Sequence, residues 1–179
     1  MTETNEGVNV PKPVTPNVCS NHVWDCTPHP QKGGLSINDH LARLDEAKKA
    51  GDRFEKRAVE HNRKDIHSGD DIGVEFRCKN KGCSATKEVD HITRSGPGGP
   101  VTKIVQCKSD QSKVNGGKGV TIKPKQLKED RKLRDALDAC QQGAGTKVQI
   151  EYKLEAGDAA NSAAEFLRKS EPPLIQMVP

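Results

Sequence analysis

The sequence has few aromatic residues and no long apolar run, and both absences narrow the kinds of protein that it can encode. Only 3% of its 179 residues are Phe, Trp or Tyr, whereas 30% are charged. No stretch approaches the roughly 20 apolar residues that cross a bilayer, and the N-terminus lacks the basic head and apolar run of a secretion signal. We therefore expect no membrane partner, a small core and a single domain of modest stability.

Cysteine is also scarce, because six residues are too few for a disulfide scaffold in a chain of this length. We therefore expect a reducing compartment. Cys19, His22, Cys26 and His29 are ligands of the right type, at nearly suitable spacing, for a small structural Zn²⁺ site. Pro28 crowds the second half of this motif, and the alternative is a loose proline-rich arm without metal.

Prolines and periodic apolar positions divide the chain into three regions. Residues 1–34 contain five prolines and little periodic pattern, which indicates a linker or an arm wrapped on the domain. Residues 35–170 carry helical and strand patterns and form the expected domain. The pair Pro172-Pro173 ends regular structure, so we expect residues 171–179 to be a C-terminal tail.

Within the domain, the apolar spacing predicts the order helix, three strands, helix, strand, helix. The first helix, or broken helix pair, spans about 38–64 and is capped by Ser36 or Asn38, with a break at Gly51 that makes Asp52 a new N-cap. The later strands and helices are predicted at 72–78, 86–93, 102–107, 124–143, 147–154 and 158–169. This order predicts an α/β domain with a short mixed sheet flanked by helices.

Polar side chains cluster on the second and third predicted strands. Alternation places the side chains of Gln106 and Lys108 on the same face of one predicted strand. On the preceding strand, the side chain of Asp90 points to the face opposite to that of Val89. Three polar side chains can therefore converge beside a hairpin. Phosphodiester cleavage needs a carboxylate and a second oxygen donor for a hard divalent cation, and a lysine that orients or deprotonates the attacking water.

Seven lysines against a single acid make residues 101–128 strongly basic. Such a run is often only a solvated face, but its position next to the polar cluster favours binding to a phosphate backbone. Because few aromatics are present to stack on bases, recognition by backbone and shape is expected. The expected contacts to nucleic acid are Lys103, Lys113, Lys118, Lys123 and Lys125.

Together with the element order, these residues resemble the PD-(D/E)XK nuclease superfamily, which has the restriction-endonuclease-like fold. The resemblance covers about residues 38–152. It rests on three segments, Gly51-Asp52-Arg53-Phe54-Glu55, Val89-Asp90 and Ile104-Val105-Gln106-Cys107-Lys108, followed by a helix and a closing strand.

The resemblance implies a nuclease that depends on Mg²⁺ or Mn²⁺. Asp90 would be the main metal ligand, Gln106 the second ligand and Lys108 the catalytic lysine. Glu55 would complete the metal site through water, and Glu60 and Glu75 are the other candidates for that position. The chain departs from the family pattern at Gln106, where a carboxylate is usual, and no proline precedes Asp90.

A second resemblance uses the same region differently. The segments Cys78-Lys79-Asn80-Lys81-Gly82-Cys83 and Glu88-Val89-Asp90-His91-Ile92, followed by Cys107, are similar to an HNH (ββα-metal) endonuclease. In that reading Asp90 binds the metal, His91 is the general base and the cysteines hold a structural zinc. The second CxxC pair that is usual in that family is absent.

A small basic nuclease after a low-complexity arm also resembles the C-terminal toxin modules of bacterial contact-dependent inhibition and Rhs systems. Those modules are delivered from one bacterial cell and cleave tRNA or DNA in the cytoplasm of the target cell. The resemblance implies nucleic acid and a cognate immunity protein as partners. A chromosomal or phage repair nuclease would share the same residues, and Gln106 favours a third hypothesis, a non-catalytic nucleic-acid-binding domain.

Overall fold

In the described residues, six strands form one mixed sheet whose strands lie in chain order. The protein is represented by a computed structural model that describes residues 18–47, 49–111, 119–169 and 173–179. Its helices are α1 (Ile37–Glu46), α2 (Ala50–His61), α3 (Pro124–Cys140) and α4 (Asp158–Arg168). Its strands are β1 (His29–Pro30), β2 (Ile72–Arg77), β3 (Thr86–Arg94), β4 (Val101–Lys108), β5 (Gln149–Glu155) and β6 (Leu174–Val178). The predicted α/β class and mixed sheet are confirmed.

The direction of the strands changes in the middle of the sheet. β1, β2, β3 and β4 are each antiparallel to the next, whereas β4–β5 and β5–β6 are parallel pairs. A parallel neighbour requires a crossover, and α3 and α4 lie in the two connections that need one. The hairpins β2–β3 and β3–β4 therefore lie in the antiparallel half, and the crossover helices α3 and α4 connect the strands of the parallel half.

Two strands lie outside the predicted element order, one at each edge of the sheet. β1 falls inside the predicted arm and is too short for alternation to reveal it, and Pro30 is tolerated there because the strand is at an edge. β6 falls inside the predicted C-terminal tail and pairs with β5. The prediction that Pro172-Pro173 ends regular structure is therefore wrong, because a strand begins again at Leu174.

The first helical region, predicted as one helix or a broken pair, is a broken pair, and the break lies earlier than Gly51. The Ser36 side chain caps α1 by accepting from the Asp39 N–H at 3.1 Å, which confirms that cap. α2 begins after Lys49, so Asp52 is in its first turn and is not the N-cap. A Cβ at Gly51 would lie 3.5 Å from Ser109 Oγ, so the start of α2 packs beside the end of β4.

α2 and α3 lie on opposite faces of the sheet. On β4, the Gln106 side chain donates to Asp130 of α3, whereas Lys103 pairs with Glu151, which accepts from Asn62 at the end of α2. The larger apolar core lies on the α3 side and includes Val74, Phe76, Ile104, Leu133, Leu137, Tyr152 and Leu167. A smaller cluster of Val59, Ile66 and Ile72 lies on the α2 side.

The described part of the arm, from residue 18, packs on the domain. Trp24 is buried and forms an antiparallel bridge with Cys78, and the Asp25 N–H donates to the Arg77 carbonyl at 2.8 Å. A disulfide joins Cys26 to Cys140 at the end of α3. The arm is thus fixed at both the sheet and a helix.

None of the helices in the described part of the chain is both long and apolar enough to cross a membrane.

Candidate active site: a cleft between α2, β3 and β4

A cleft of about 670 Å³ lies where the start of α2 meets β3 and the end of β4. All four members of the predicted catalytic set, Glu55, Asp90, Gln106 and Lys108, line it. Asp90, Gln106 and Lys108 belong to the β3–β4 hairpin, whereas Glu55 on α2 is distant in the sequence and is brought to them by the fold. The other charged and amide residues in its wall are Gln31, Arg43, Asp52, Lys87, Glu88 and Gln126.

Asp90 lies where the regular alternation of β3 breaks. Lys87 and His91 are four residues apart, so a regular strand would place them on one face. Lys87 nevertheless pairs with Asp130 of α3 at 2.6 Å, while His91 lies 2.9 Å from the Asn62 amide on the α2 side. The side chains of β3 therefore change from one face of the sheet to the other between these two residues. Asp90 lies in this irregular part of the strand.

The Asp90 carboxylate accepts a hydrogen bond from the backbone of the neighbouring strand β4. The regular β3–β4 register begins at the pair His91↔Val105, and beyond it the Cys107 N–H donates to Asp90 Oδ2 at 2.6 Å. Burial raises the pKa of Asp90, although the Cys107 N–H and the nearby Lys108 ammonium both lower it. A bound cation would stabilise the ionised form of such a carboxylate.

Glu55 on α2 is electrostatically coupled to Asp90. The pKa of Glu55 is raised to about 8, mainly by burial and also by the negative charges of Asp90 and Asp52, while Arg43 lowers it. Two carboxylates that resist joint ionisation in one cleft are typical of sites that hold a cation or share a proton.

The other two glutamates proposed for this position are elsewhere. Glu60 is exposed and pairs with Lys56 on its own helix at 3.7 Å. Glu75 lies on β2, in register with Glu88 and with His29 of the edge strand. Among the described residues that line the cleft, Glu55 is the only one of the three candidates.

Lys108 ends β4 and is half-buried at the cleft. Burial lowers its pKa, while the negative charges of Asp90 and Asp130 raise it. A lysine whose charged form is less favoured than usual is suited to accept or share a proton with a nearby water.

The orientation of Gln106 is fixed by two acceptors. Its Nε2 donates to the Glu88 carbonyl and to Asp130 Oδ1, both at 3.1 Å. Because both partners accept hydrogen bonds, the amide nitrogen must face them, and the amide oxygen is the atom left for a cation. The predicted role of Gln106 as a ligand therefore rests on that oxygen.

Asp130 and Lys87 were not among the predicted site residues. Asp130 is fully buried and accepts from Lys87, Gln106 and the Tyr152 hydroxyl. The negative charge of Asp130 raises the pKa of Asp90. Asp130 therefore affects the cleft, although it does not line it. The sequence did contain a signal, because Asp130 falls on the apolar stripe of α3, where a charge is unusual.

His91, the general base of the alternative resemblance, does not share the cleft with Asp90. It is fully buried, and that burial lowers its pKa to about 3, aided by the positive charge of Lys153. It belongs to a polar network with Asn62 and Glu151 on the α2 side of the sheet.

The predicted nucleic-acid contacts are dispersed. Lys123 and Lys125 are exposed in a groove that shares Thr86, Lys87 and Gln126 with the cleft. Lys103 pairs with Glu151 at 3.1 Å and lies on the other side of the sheet. Lys113 and Lys118 lie outside the described residues.

A second cluster of metal-ligand types lies on the arm. Cys19, His22, Cys78 and Cys83 each offer one ligand atom, and these atoms lie within 4.8 Å of one another. The predicted set of Cys19, His22, Cys26 and His29 is therefore wrong in its second half: Cys26 forms a disulfide, and His29 belongs to β1. The HNH resemblance had suggested Cys78 and Cys83 as zinc ligands, but spacing could not group them with Cys19 and His22, because only the fold brings them to the arm.

Comparison of the chain with protein-family models, with curated proteins and with solved structures finds no match.

Proposed function

We propose that the protein is a metal-dependent nuclease that hydrolyses phosphodiester bonds in the cleft between α2, β3 and β4. The observation that carries the proposal is the convergence of Asp90, Glu55 and Lys108 on one cleft. Their electrostatics add support, since burial disfavours the charged form of all three residues. The arrangement has the parts expected of a restriction-endonuclease-like site, and that fold is part of the proposal.

The cleft residues fit a hard divalent cation. Asp90 and the amide oxygen of Gln106 would bind Mg²⁺ or Mn²⁺ directly, and Glu55 would bind it through water. When bound, the cation would neutralise charge on the scissile phosphate. Gln106 contributes no negative charge, so the ionised carboxylates of Asp90 and Glu55 must supply the attraction.

Lys108 would orient the attacking water and take up its proton. The lowered pKa of Lys108, caused by burial, favours this role. The water oxygen would bond to phosphorus while the bond to the leaving oxygen breaks, and that oxygen would leave with a proton from solvent.

The substrate class would be tRNA or DNA, bound along its phosphates. Lys123 and Lys125 are exposed in a groove continuous with the cleft, and Lys87 lies where the two join. Cationic side chains of this kind contact phosphates without reading sequence.

In its biological setting, this nuclease would be a toxin module that one bacterial cell delivers to the cytoplasm of another. In that setting a cognate immunity protein would be the second partner. The expected result of expression in the cytosol of a bacterium is arrest of growth, and Asp90→Ala would relieve it. Normal growth with the intact protein expressed would contradict this setting, although not the nuclease chemistry.

The experiment that tests the function is a cleavage assay on plasmid DNA and total tRNA, with Mg²⁺ or with EDTA. We expect cleavage that EDTA abolishes and Lys108→Ala removes, while Lys81→Ala, an exposed lysine on the β2–β3 turn, has no effect. Loss with His91→Ala but not with Lys108→Ala would favour the HNH reading. Binding of nucleic acid without cleavage by the wild type would favour the non-catalytic reading, which the missing carboxylate at Gln106 supports.

A further inference from the structure

Three thiols and one imidazole converge at the tip of the β2–β3 hairpin. Cys19 Sγ lies 3.7 Å from Cys78 Sγ and 2.9 Å from Cys83 Sγ. His22 Nδ1 lies 3.2 Å from Cys19 Sγ and 3.8 Å from Cys83 Sγ. All three cysteines are free thiols. The four donors come from two segments that are distant in the chain, so they meet only in the folded protein.

These separations suit four ligands around one tetrahedral ion. With Zn–S bonds of about 2.3 Å and Zn–N bonds of about 2.0 Å, the ligand atoms of a tetrahedral site lie about 3.6 to 3.8 Å apart. Three of the four distances agree with that spacing to about half an ångström, and Cys19 and Cys83 would separate by about 1 Å. Thiolates with an imidazole select zinc over magnesium.

The backbone and side chains around the cluster donate hydrogen bonds to its sulfurs. The Cys19 N–H donates to Cys83 Sγ at 3.3 Å, and Asn80 Nδ2 donates to Cys19 Sγ at 3.5 Å. The same Asn80 amide donates to the Asn21 carbonyl at 2.7 Å, which ties the hairpin turn to the arm. Such bonds orient the ligands and favour the thiolate form that binds a metal.

The turn between the two strands sets the position of its cysteines. Gly82 has φ of +78°, in the left-handed region that favours glycine, and the Cys83 N–H donates to the Asn80 carbonyl at 3.0 Å. This tight turn returns the chain so that Cys78 and Cys83, on its two sides, face the arm.

We propose that Cys19, His22, Cys78 and Cys83 bind one zinc ion, which fastens the N-terminal arm to the β2–β3 hairpin. Four protein ligands fill a tetrahedral site and leave no position for substrate, so the role is structural. The proposal is independent of the nuclease chemistry, because none of the four ligands lines the cleft between α2, β3 and β4.

Other contacts also hold this part of the arm, besides the Trp24–Cys78 bridge and the Cys26–Cys140 disulfide. The Lys79 N–H donates to the Val23 carbonyl at 2.8 Å, and Trp24 Nε1 donates to Glu129 Oε2 at 2.9 Å. Trp24 is buried, and its ring centroid lies 5.0 Å from that of His22. Because Trp24 is the single tryptophan of the chain, its fluorescence reports whether the arm is docked.

The first test is the zinc content of the purified full chain, prepared with a reductant in zinc-containing medium. We expect one zinc per chain, and Co²⁺ exchanged into the site should give the visible bands of a tetrahedral thiolate complex. Wild-type protein that binds neither ion, or that has Cys19 joined to Cys83 as a disulfide under these conditions, overturns the proposal.

Ligand variants identify the site. Cys83→Ser and Cys78→Ser should lose zinc, whereas His22→Cys should retain it because a thiolate replaces the imidazole. Cys26→Ser and His29→Gln are matched controls from the same arm and should keep one zinc per chain. Loss of zinc in these controls, with retention in Cys83→Ser, overturns the assignment.

Chelation gives a readout that does not depend on any variant folding. A zinc-selective chelator added to the wild type in reductant, which opens the Cys26–Cys140 disulfide, should shift Trp24 emission to longer wavelength as Trp24 becomes exposed, and added zinc should reverse the shift. Unchanged emission after complete removal of zinc contradicts the proposed fastening of the arm.

Discussion

The two candidate metal sites of this protein differ in the chemistry of their donors and in their openness. The cleft between α2, β3 and β4 presents the oxygens of Asp90, Glu55 and Gln106 beside the Lys108 ammonium, in a cavity of about 670 Å³. The arm cluster presents three sulfurs and one nitrogen within 4.8 Å of one another. Oxygen donors in an open cleft suit an exchangeable cation that meets substrate, whereas four close soft donors suit a permanent structural ion. In the proposed scheme, donor type keeps the catalytic cation and the structural ion at separate sites.

The largest expected effect concerns the cleft alone. Asp90→Asn removes the main charged ligand, and we expect cleavage to fall by about 10³-fold or more, since a catalytic cation supplies several kcal/mol. Glu60→Gln, on the exposed side of α2, should leave cleavage unchanged. Both variants should keep one zinc per chain. Loss of zinc in Asp90→Asn would show that the two sites are coupled.

The next effect concerns the arm. The disulfide between Cys26 and Cys140 closes a loop of more than a hundred residues, so its loss should lower the free energy of unfolding by about 2 to 5 kcal/mol. Urea denaturation of Cys140→Ser without reductant measures the change. Reductant should lower the stability of the wild type by the same amount and leave the variant unaffected. A wild type insensitive to reductant would contradict the pairing.

A smaller effect concerns the stability of the folded protein when no cation occupies the cleft. Burial raises the pKa of Glu55 from 4.5 to about 8, so the unfolded chain loses this proton at lower pH than the folded chain does. Stability measured in EDTA should therefore fall as pH rises from about 4.5 to about 8, and Glu55→Gln should raise the free energy of unfolding at pH 8 by about 1 to 3 kcal/mol. Glu60→Gln serves as the control, with no change expected. A destabilised Glu55→Gln would contradict the electrostatic origin of the shift.

The sequence alone could predict those features of the fold and the cleft that depend on local pattern. Alternation and the family resemblance placed Asp90, Gln106 and Lys108 together, and the Ser36 cap followed from the residue types at the start of α1. The position of the break before α2 could not be predicted, because the N-cap of α2 is Lys49, which makes no side-chain capping hydrogen bond, and the nearby Gly51 suggested a later break.

The remaining misses depend on contacts between distant segments. Cys78 and Cys83 join Cys19 only through pairing of the arm with β2, and Cys26 was assigned to the wrong cluster because spacing shows neighbours along the chain and not across it. Asp130 was not predicted as a site residue, although it lies on the buried stripe of α3, where a charged residue is unusual. The strand at Leu174–Val178 was missed because the prolines before it end a helix without preventing a new edge strand.

The smallest expected effect concerns the groove beside the cleft. Replacing both Lys123 and Lys125 by Gln should reduce the salt dependence of nucleic-acid binding by about one unit of log–log slope per lysine and weaken binding similarly for all sequences. Replacing the exposed Lys64 and Lys147 in the same way is the control and should leave the slope unchanged. Fluorescence anisotropy with a labelled oligonucleotide over a range of salt gives both slopes. An unchanged slope in the Lys123 and Lys125 variant would remove the groove from the substrate path.

The central claim is that Asp90 holds a hard cation beside Lys108, and Mn²⁺ binding tests it most directly. Titration of the zinc-loaded wild type with Mn²⁺, followed by electron paramagnetic resonance, should show one site from which Mg²⁺ displaces the ion, and Asp90→Asn should lose that site. Equal Mn²⁺ binding by the wild type and Asp90→Asn would contradict the account.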